Sequence, residues 1–93
     1  MDKKKAAMVL ADQLGLYRAK TYDMLKDMVG QVDAYEAMTP DGSAYQIEIQ
    51  VFWDGKPDGH IRVIGAIDDG GWRAFAPLTD DFIMTPDGTF LGE

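Results

Sequence analysis

Apolar residues recur at steps of three and four along the first third of the chain, the spacing of one helix face. Gly30 stands where a C-terminal helix cap is expected, and Gly15 interrupts the run at a point where a helix can bend or break. The pattern predicts a helical segment over residues 3–29. The positions assigned to its buried face are Ala7, Leu10, Leu14, Tyr17, Thr21, Met24 and Met28.

Three copies of Pro-Asp-Gly divide the rest of the chain. Proline presets φ, the aspartate caps its own backbone and the glycine accepts a positive φ, so each triplet is expected to close a three-residue hairpin loop. Such a loop pairs the residue before Pro with the residue after Gly, which sets Thr39 opposite Ser43 and Lys56 opposite His60. The triplets are Pro40-Asp41-Gly42, Pro57-Asp58-Gly59 and Pro86-Asp87-Gly88.

Counting outward from these loops predicts the register of an antiparallel sheet. Tyr35 is expected to face Ile47 and Trp53 to face Val63, and the strict alternation over residues 45–53 agrees with this phase. One face then collects the apolar side chains and forms the core. Its predicted members are Tyr35, Ala37, Tyr45, Ile47, Ile49, Val51, Trp53, Ile61, Val63, Ile67, Trp72, Ala74, Ala76 and Leu78.

The dipeptide Asp69-Gly70 is a strong signal for a two-residue hairpin turn. Such a turn pairs Ile67 with Trp72 and Val63 with Ala76. The fourth strand is therefore expected to begin just after residue 70.

These elements predict a single α+β domain over residues 1–93. The helical segment packs across the apolar face of a four-stranded meander at 32–78, where Gly65 leaves space for it. A short C-terminal hairpin follows at 80–93.

The opposite, outer face of the predicted sheet is mostly polar, with one exception. The register brings Phe52, Ile64 and Phe75 side by side across three strands, with Arg62 and Arg73 around them. A sheet with one buried face does not need two phenylalanines on the other face. We interpret these five residues as a surface that binds a protein partner or a second copy of the chain.

A purely structural alternative is that the C-terminal hairpin folds back over this surface. Its apolar residues, which would form the cover, are Phe82, Ile83, Met84, Phe90 and Leu91. A second alternative is a small-ligand site on the polar face, formed by Arg62 and Arg73 with Glu48, although Arg62 is also expected to pair with Asp54 across the strands.

The net charge of −7 is unevenly distributed. Residues 1–30 carry six Lys/Arg against four Asp/Glu, whereas residues 31–93 carry three against twelve. An acidic sheet repels phosphate backbones and suits a basic partner. The chain has no cysteine and no stretch expected to span a bilayer, so we expect a cytoplasmic protein without disulfides or membrane attachment.

Catalytic and metal-binding patterns are sparse. The single histidine, His60, and the single serine, Ser43, are predicted beside the turns of different hairpins. Neither Asp68-Asp69 nor Asp80-Asp81 has the alternating ligand spacing of a calcium loop. We therefore predict no enzyme activity, no cofactor and no metal.

Residues 10–25, with the sequence LADQLGLYRAKTYDML, resemble the helix-turn-helix motif of bacterial DNA-binding regulators. Ala11 and Gly15 match its small and turn positions. The resemblance implies an alternative function, a transcriptional regulator, for which the DNA-facing residues would be Tyr17, Arg18, Ala19, Tyr22 and Asp23. The interaction module remains our main prediction, with a protein rather than nucleic acid as the expected partner.

Overall fold

The computed structural model describes residues 2–70 and 77–93. Two helices precede four antiparallel strands that pair in chain order, which confirms the predicted α+β class. Within the described part of the chain, no helix combines the length and the apolar character that crossing a membrane requires. The elements are α1 (Lys3–Arg18), α2 (Tyr22–Asp27), β1 (Val32–Met38), β2 (Ala44–Trp53), β3 (Ile61–Asp68) and β4 (Leu78–Met84).

The predicted helical segment is two helices rather than one. Helix α1 continues through Gly15 without interruption, and the break falls after Arg18. Thr21 then starts α2, because its extended backbone and its side chain, which accepts a hydrogen bond from the Met24 amide at 3.1 Å, form an N-cap. The capping threonine, and not the glycine, sets the position of the break.

This break also changes which helical residues are buried. The predictions for Ala7, Thr21 and Met24 are wrong: all three are exposed, whereas Ala6 and Leu25 are buried. Ala6 lies four residues before Leu10 and Ala7 lies three before it, so helical spacing alone allows either to be buried. The new helix that begins after Thr21 has its own phase, and this phase buries Leu25 instead of Met24. The middle of the predicted face is confirmed, with Leu10, Leu14 and Tyr17 buried.

The first Pro-Asp-Gly loop forms as predicted. The Thr39 amide donates to the Ser43 carbonyl at 2.9 Å, and Tyr35 lies opposite Ile47. Gly42 takes a φ of 87°, the conformation for which the loop needs glycine. The register between β1 and β2 is therefore confirmed.

The second Pro-Asp-Gly does not close a three-residue loop. The Asp54 amide donates to the His60 carbonyl at 2.8 Å, so the loop has five residues, and Asp58 rather than Gly59 takes the positive φ, at 65°. Trp53 consequently faces Ile61, not Val63. A shift of two residues keeps every side chain on its face, so the core-face assignment of β2 and β3 survives.

The fourth strand begins later than predicted. Ile67 pairs with Leu78 and Val63 pairs with Phe82, which overturns the expected pairing with Trp72 and Ala76. The observed pairing buries the large side chain of Phe82 opposite Val63, where the predicted pairing would place only Ala76. The predicted core residues Trp72, Ala74 and Ala76 lie outside the described residues.

Helix α1 packs over β3 and β4, and Gly65 is the point of closest approach. A Cβ atom at Gly65 would lie 2.8 Å from Leu10 Cδ1 and 3.3 Å from Leu14 Cδ2. A contact of 2.8 Å is shorter than real Cβ atoms show, so any side chain at this position would force the ends of the neighbouring side chains to move. The expectation for Gly65 is confirmed.

The C-terminal segment forms β4 and a short return rather than a separate hairpin. The third loop closes with the Thr85 amide donating to the Thr89 carbonyl at 2.8 Å, and Phe90 then bridges to Met84. Phe82 and Met84 point into the core beside α1. The alternative that this segment covers the outer face is therefore wrong.

Arg18 joins the end of α1 to this C-terminal return. Its guanidinium carbon lies 4.8 Å from the ring centre of Phe82 and 4.9 Å from that of Phe90, two rings that meet edge to face. Its Nη1 donates to Glu93 Oε1 at 2.7 Å. The return is thus held on the helical side of the sheet.

The first and third loops share a hydrogen-bond arrangement that the second lacks. In the first loop, Asp41 accepts from the Ser43 amide at 3.0 Å and from the Thr39 hydroxyl. In the third loop, Asp87 accepts in the same way from the Thr89 amide at 3.1 Å and from the Thr85 hydroxyl. These donors favour the ionised carboxylate. The bond from the Thr85 hydroxyl is the largest cause that lowers the pKa of Asp87 to about 2.

We expect this loop to make stability depend on pH in acid. The folded pKa of Asp87 lies below its usual value, so its contribution is fully present above about pH 4 and is lost as the pH falls towards 2. Asp87→Asn should therefore be less stable than the parent at pH 6, with the difference vanishing near pH 2. Urea unfolding at a series of pH values measures it; a difference that does not change with pH would contradict the assignment.

Candidate functional site

The outer face of the sheet lies opposite α1 and α2. Register places Phe52, Arg62 and Ile83 in one row across β2, β3 and β4, and Ile64 in the next row between Gln50 and Asp81. All four side chains that we call the outer patch are partly exposed: Phe52, Arg62, Ile64 and Ile83.

The outer patch differs from the row predicted from the sequence. Phe52 faces Arg62 instead of Ile64, because the second loop is longer than expected and shifts the pairing by two residues. Phe75 and Arg73 lie outside the described residues. Ile83 was missed as a surface residue, although its position between Phe82 and Met84 in a period-two segment was a signal that it faces away from the core.

Arg62 is held at the centre of the patch by two carboxylates. Its Nε donates to Asp54 Oδ1 at 3.0 Å, which confirms the predicted pair, and its Nη1 also bonds Asp81. These partners, Asp54 first, raise the pKa of the guanidinium above its usual value. The small-ligand site built on Arg62, Arg73 and Glu48 stays a prediction, because Arg73 lies outside the described residues.

Carboxylates dominate the polar part of the outer face. Side-chain amides hold two of them: Gln46 donates to Glu36 at 3.3 Å and Gln50 donates to Glu48 at 2.9 Å. Arg62 is the one cationic residue on this face of the described strands. The acidic residues on the face and at its edge are Glu36, Glu48, Asp54, Asp68 and Asp81, and together they favour a cationic ligand.

The residues that the helix-turn-helix resemblance directs to DNA have other partners in the fold. Tyr17 is only 6% exposed, and its hydroxyl donates to Asp33 Oδ2 at 2.5 Å; burial, followed by this bond, raises its pKa. The Tyr22 hydroxyl donates to the Gly59 carbonyl at 2.7 Å. Ala19 is exposed at the end of α1.

Arg18 and Tyr22 line a groove of about 450 Å³ between the α1–α2 turn and the third loop. Phe90 and Pro86 form its other wall. The turn position of the resemblance, Gly15, lies inside α1. DNA binding through residues 17–23 stays a prediction, which a titration with random duplex at low salt would test.

The single serine and histidine have separate surroundings. Ser43 accepts a hydrogen bond from Lys5 Nζ at 3.0 Å at the first loop, whereas His60 lies at the second loop, where its carbonyl accepts from Asp54. Over residues 2–70 and 77–93, no three His, Asp or Glu side chains are grouped so as to hold a metal ion.

The outer patch is thus the candidate site that the fold builds most fully, with apolar side chains around a fixed guanidinium and an acidic surround. Comparison of the chain with protein-family models, with curated proteins and with solved structures gives no significant match.

Proposed function

We propose that this chain is a protein-interaction module that binds a basic partner protein through the outer patch. One observation carries the proposal: Phe52, Ile64 and Ile83 lie partly exposed among carboxylates on the face opposite both helices. The lack of cysteine suits a reducing compartment, and we expect the module to act in the cytoplasm.

The patch has the composition of an interface core with a polar rim. An apolar side chain of the partner packs on Phe52 and Ile64, while its lysines or arginines approach Glu48 and Asp81. Arg62 is already fixed by its carboxylates, so little side-chain freedom is lost there on binding. The acidic rim contributes mainly to the association rate and makes that rate depend on salt.

A synthetic peptide of alternating leucine and lysine serves as a defined probe. Titrated into the isotopically labelled protein, it should shift the amide resonances of Gln50, Arg62 and Ile64 more than those of α1. Raising the salt concentration from about 0.02 M to 0.5 M should weaken this binding, because the rim charges are solvent-exposed. Shifts confined to the helices would contradict the proposal.

Paired serine variants test the patch directly. Phe52→Ser with Ile64→Ser should leave the domain folded, since neither side chain belongs to the buried core, and should weaken peptide binding by about tenfold or more. The matched control is Met8→Ser with Leu16→Ser, which removes two exposed apolar side chains from α1. Equal weakening by both pairs, or unfolding caused by the Phe52 and Ile64 changes, would overturn the assignment.

A further inference from the structure

The outer edge of β1 presents backbone groups that no strand in the described part of the chain pairs with. At its two ends the strand bonds towards β2: the Val51 amide donates to the Gln31 carbonyl at 3.3 Å, and the Thr39 amide donates to the Ser43 carbonyl at 2.9 Å. Hydrogen bonding alternates along an antiparallel pair, so the odd-numbered residues between them bond inward. The N–H and C=O groups of the even-numbered residues point away from the sheet; these residues are Val32, Ala34, Glu36 and Met38.

The two edge strands of the sheet, β1 and β4, differ in how far their outer edges are paired. At β4 the Leu91 amide donates to the Ile83 carbonyl at 2.9 Å, and Phe90 bridges to Met84, so part of that edge is paired. No described strand pairs with the outer edge of β1, and its sequence VDAYEAM contains no lysine and no proline. Of its two charges, Asp33 accepts a hydrogen bond from Tyr17 on the helix side, which leaves Glu36 as the one charge on the outer face of the strand.

We propose that β1 pairs with β1 of a second copy in antiparallel fashion, with Tyr35 on the two-fold axis, to give an eight-stranded sheet. This surface is distinct from the outer patch, so the inference goes beyond the proposed function. In this register Val32 lies opposite the partner's Met38 and Ala34 opposite the partner's Glu36. All four outward-pointing residues then exchange hydrogen bonds with their opposites.

Side chains on both faces of β1 favour this register. Val32 and Met38 are 56% and 68% exposed, and pairing them covers the two exposed apolar side chains of the strand with each other. On the helix-facing side, the half-buried Tyr35 ring meets its own copy at the axis, an aromatic pair of the kind that stabilises sheets. No two like charges are placed opposite each other.

Neighbouring registers are less favourable. Moving the axis to Glu36 sets that carboxylate opposite itself, which is destabilising. Moving it to Ala34 sets Val32 opposite the partner's Glu36 and leaves Met38 beyond the end of the paired strand, so both Val32–Met38 pairs are lost. A single strand edge buries less surface than a standard interface, so we expect a weak dimer, with a Kd of roughly 10–100 µM.

Sedimentation equilibrium over about 10 µM to 1 mM tests the dimer, and charge changes at residue 34 test its register. Ala34→Lys sets a lysine opposite the partner's Glu36 twice per dimer and should lower the Kd by roughly 3- to 10-fold. Ala34→Glu should raise it by a similar factor. The combination Ala34→Glu with Glu36→Lys should restore association, because the opposed charges are again of opposite sign.

Ala66→Lys and Ala66→Glu are the matched controls, because Ala66 lies opposite Glu48 as Ala34 does, but on β3, away from the edge. They should move the Kd little compared with the changes at residue 34. A single species of 10.3 kDa up to 1 mM overturns the proposal. So does a dimer that Ala34→Lys and Ala34→Glu affect alike, since that result fits a different register or surface.

Amide hydrogen exchange gives an independent readout in the parent protein. The outward amides of Ala34 and Glu36 should gain protection as concentration rises, whereas the inward amide of Tyr35 should be protected at all concentrations. Phe52→Ser with Ile64→Ser should leave the dimer intact. Loss of the dimer in that variant would instead assign self-association to the outer patch, and loss of peptide binding alone would bear only on the proposed function.

Discussion

Replacing Gly65 with valine is expected to lower the free energy of unfolding by about 2–3 kcal/mol. The first added carbon already lies 2.8 Å from Leu10 Cδ1 and 3.0 Å from Ile49 Cδ1, and the two further methyl groups have to enter the same space. The side-chain ends can yield to one carbon, so Gly65→Ala should cost clearly less than Gly65→Val. Urea unfolding of the three proteins measures both differences.

A double-mutant cycle with Leu10 shows whether the helix is the obstacle. Leu10→Ala alone should cost about 3 kcal/mol, because it leaves a cavity under α1. In the protein that carries both changes, the valine occupies part of that cavity, so the combined loss should fall short of the sum by about 1–2 kcal/mol. Strict additivity would show that Gly65 does not set the distance between α1 and the sheet.

Replacing Leu25 with alanine is expected to cost about 2–4 kcal/mol and to release α2 from the sheet. Leu25 is fully buried and is the one buried residue of a six-residue helix, a length that is not stable without packing. Chemical denaturation gives the overall loss. Amide hydrogen exchange should show the local loss of stability at the end of α2, as faster exchange of the Met28 and Val29 amides.

Met24→Ala is the matched control for this prediction. Met24 is the neighbouring residue that the sequence pattern assigns to the buried face, yet it is 49% exposed, so its truncation should cost no more than about 0.5 kcal/mol. A larger loss for Met24→Ala than for Leu25→Ala would mean that α2 packs with its other face inward.

The loops show where local sequence decides structure. Thr-Pro-Asp-Gly-Ser and Thr-Pro-Asp-Gly-Thr give the predicted three-residue loops, because the threonine hydroxyl and the amide after Gly both bond the aspartate. The second triplet is flanked by Lys56 and His60, and its loop has a different length. The flanking threonine is the signal that distinguishes them.

The fourth strand shows where local sequence is overruled. The chain does bend at the Asp69-Gly70 signal: the Gly70 amide bonds the Asp68 side chain at 2.7 Å, and Gly70 has a φ of 75°. The chain nevertheless pairs later, because Phe82 offers the core more apolar area than Ala76 does. Counting residues outward from a turn cannot predict this outcome, because the count does not include how much apolar area each pairing buries.

The candidate site was predictable in part. Period-two alternation correctly assigned Phe52, Ile64 and Arg62 to the outer face, and the pairing of Arg62 with Asp54 followed from the same reasoning. The position of Asp81 and Ile83 beside Arg62 could not be predicted, because it depends on the register of β4, although alternation alone indicates that Ile83 faces away from the core. The predicted register was therefore wrong about which residues are neighbours in the site, but correct about the face of the sheet on which they lie.

The hydrogen bonds that define the first and third loops join residues of one five-residue segment each, so we expect these segments to form the same loop in another protein. The segments 39–43 and 85–89 stabilise their ends without help from the core, apart from the contacts of Lys5 with Asp41 and Ser43. Transplanted between the strands of an unrelated antiparallel hairpin, either five-residue segment should impose a three-residue connection. The second segment, 56–60, offers protein engineers a natural counterpart that lacks this ability.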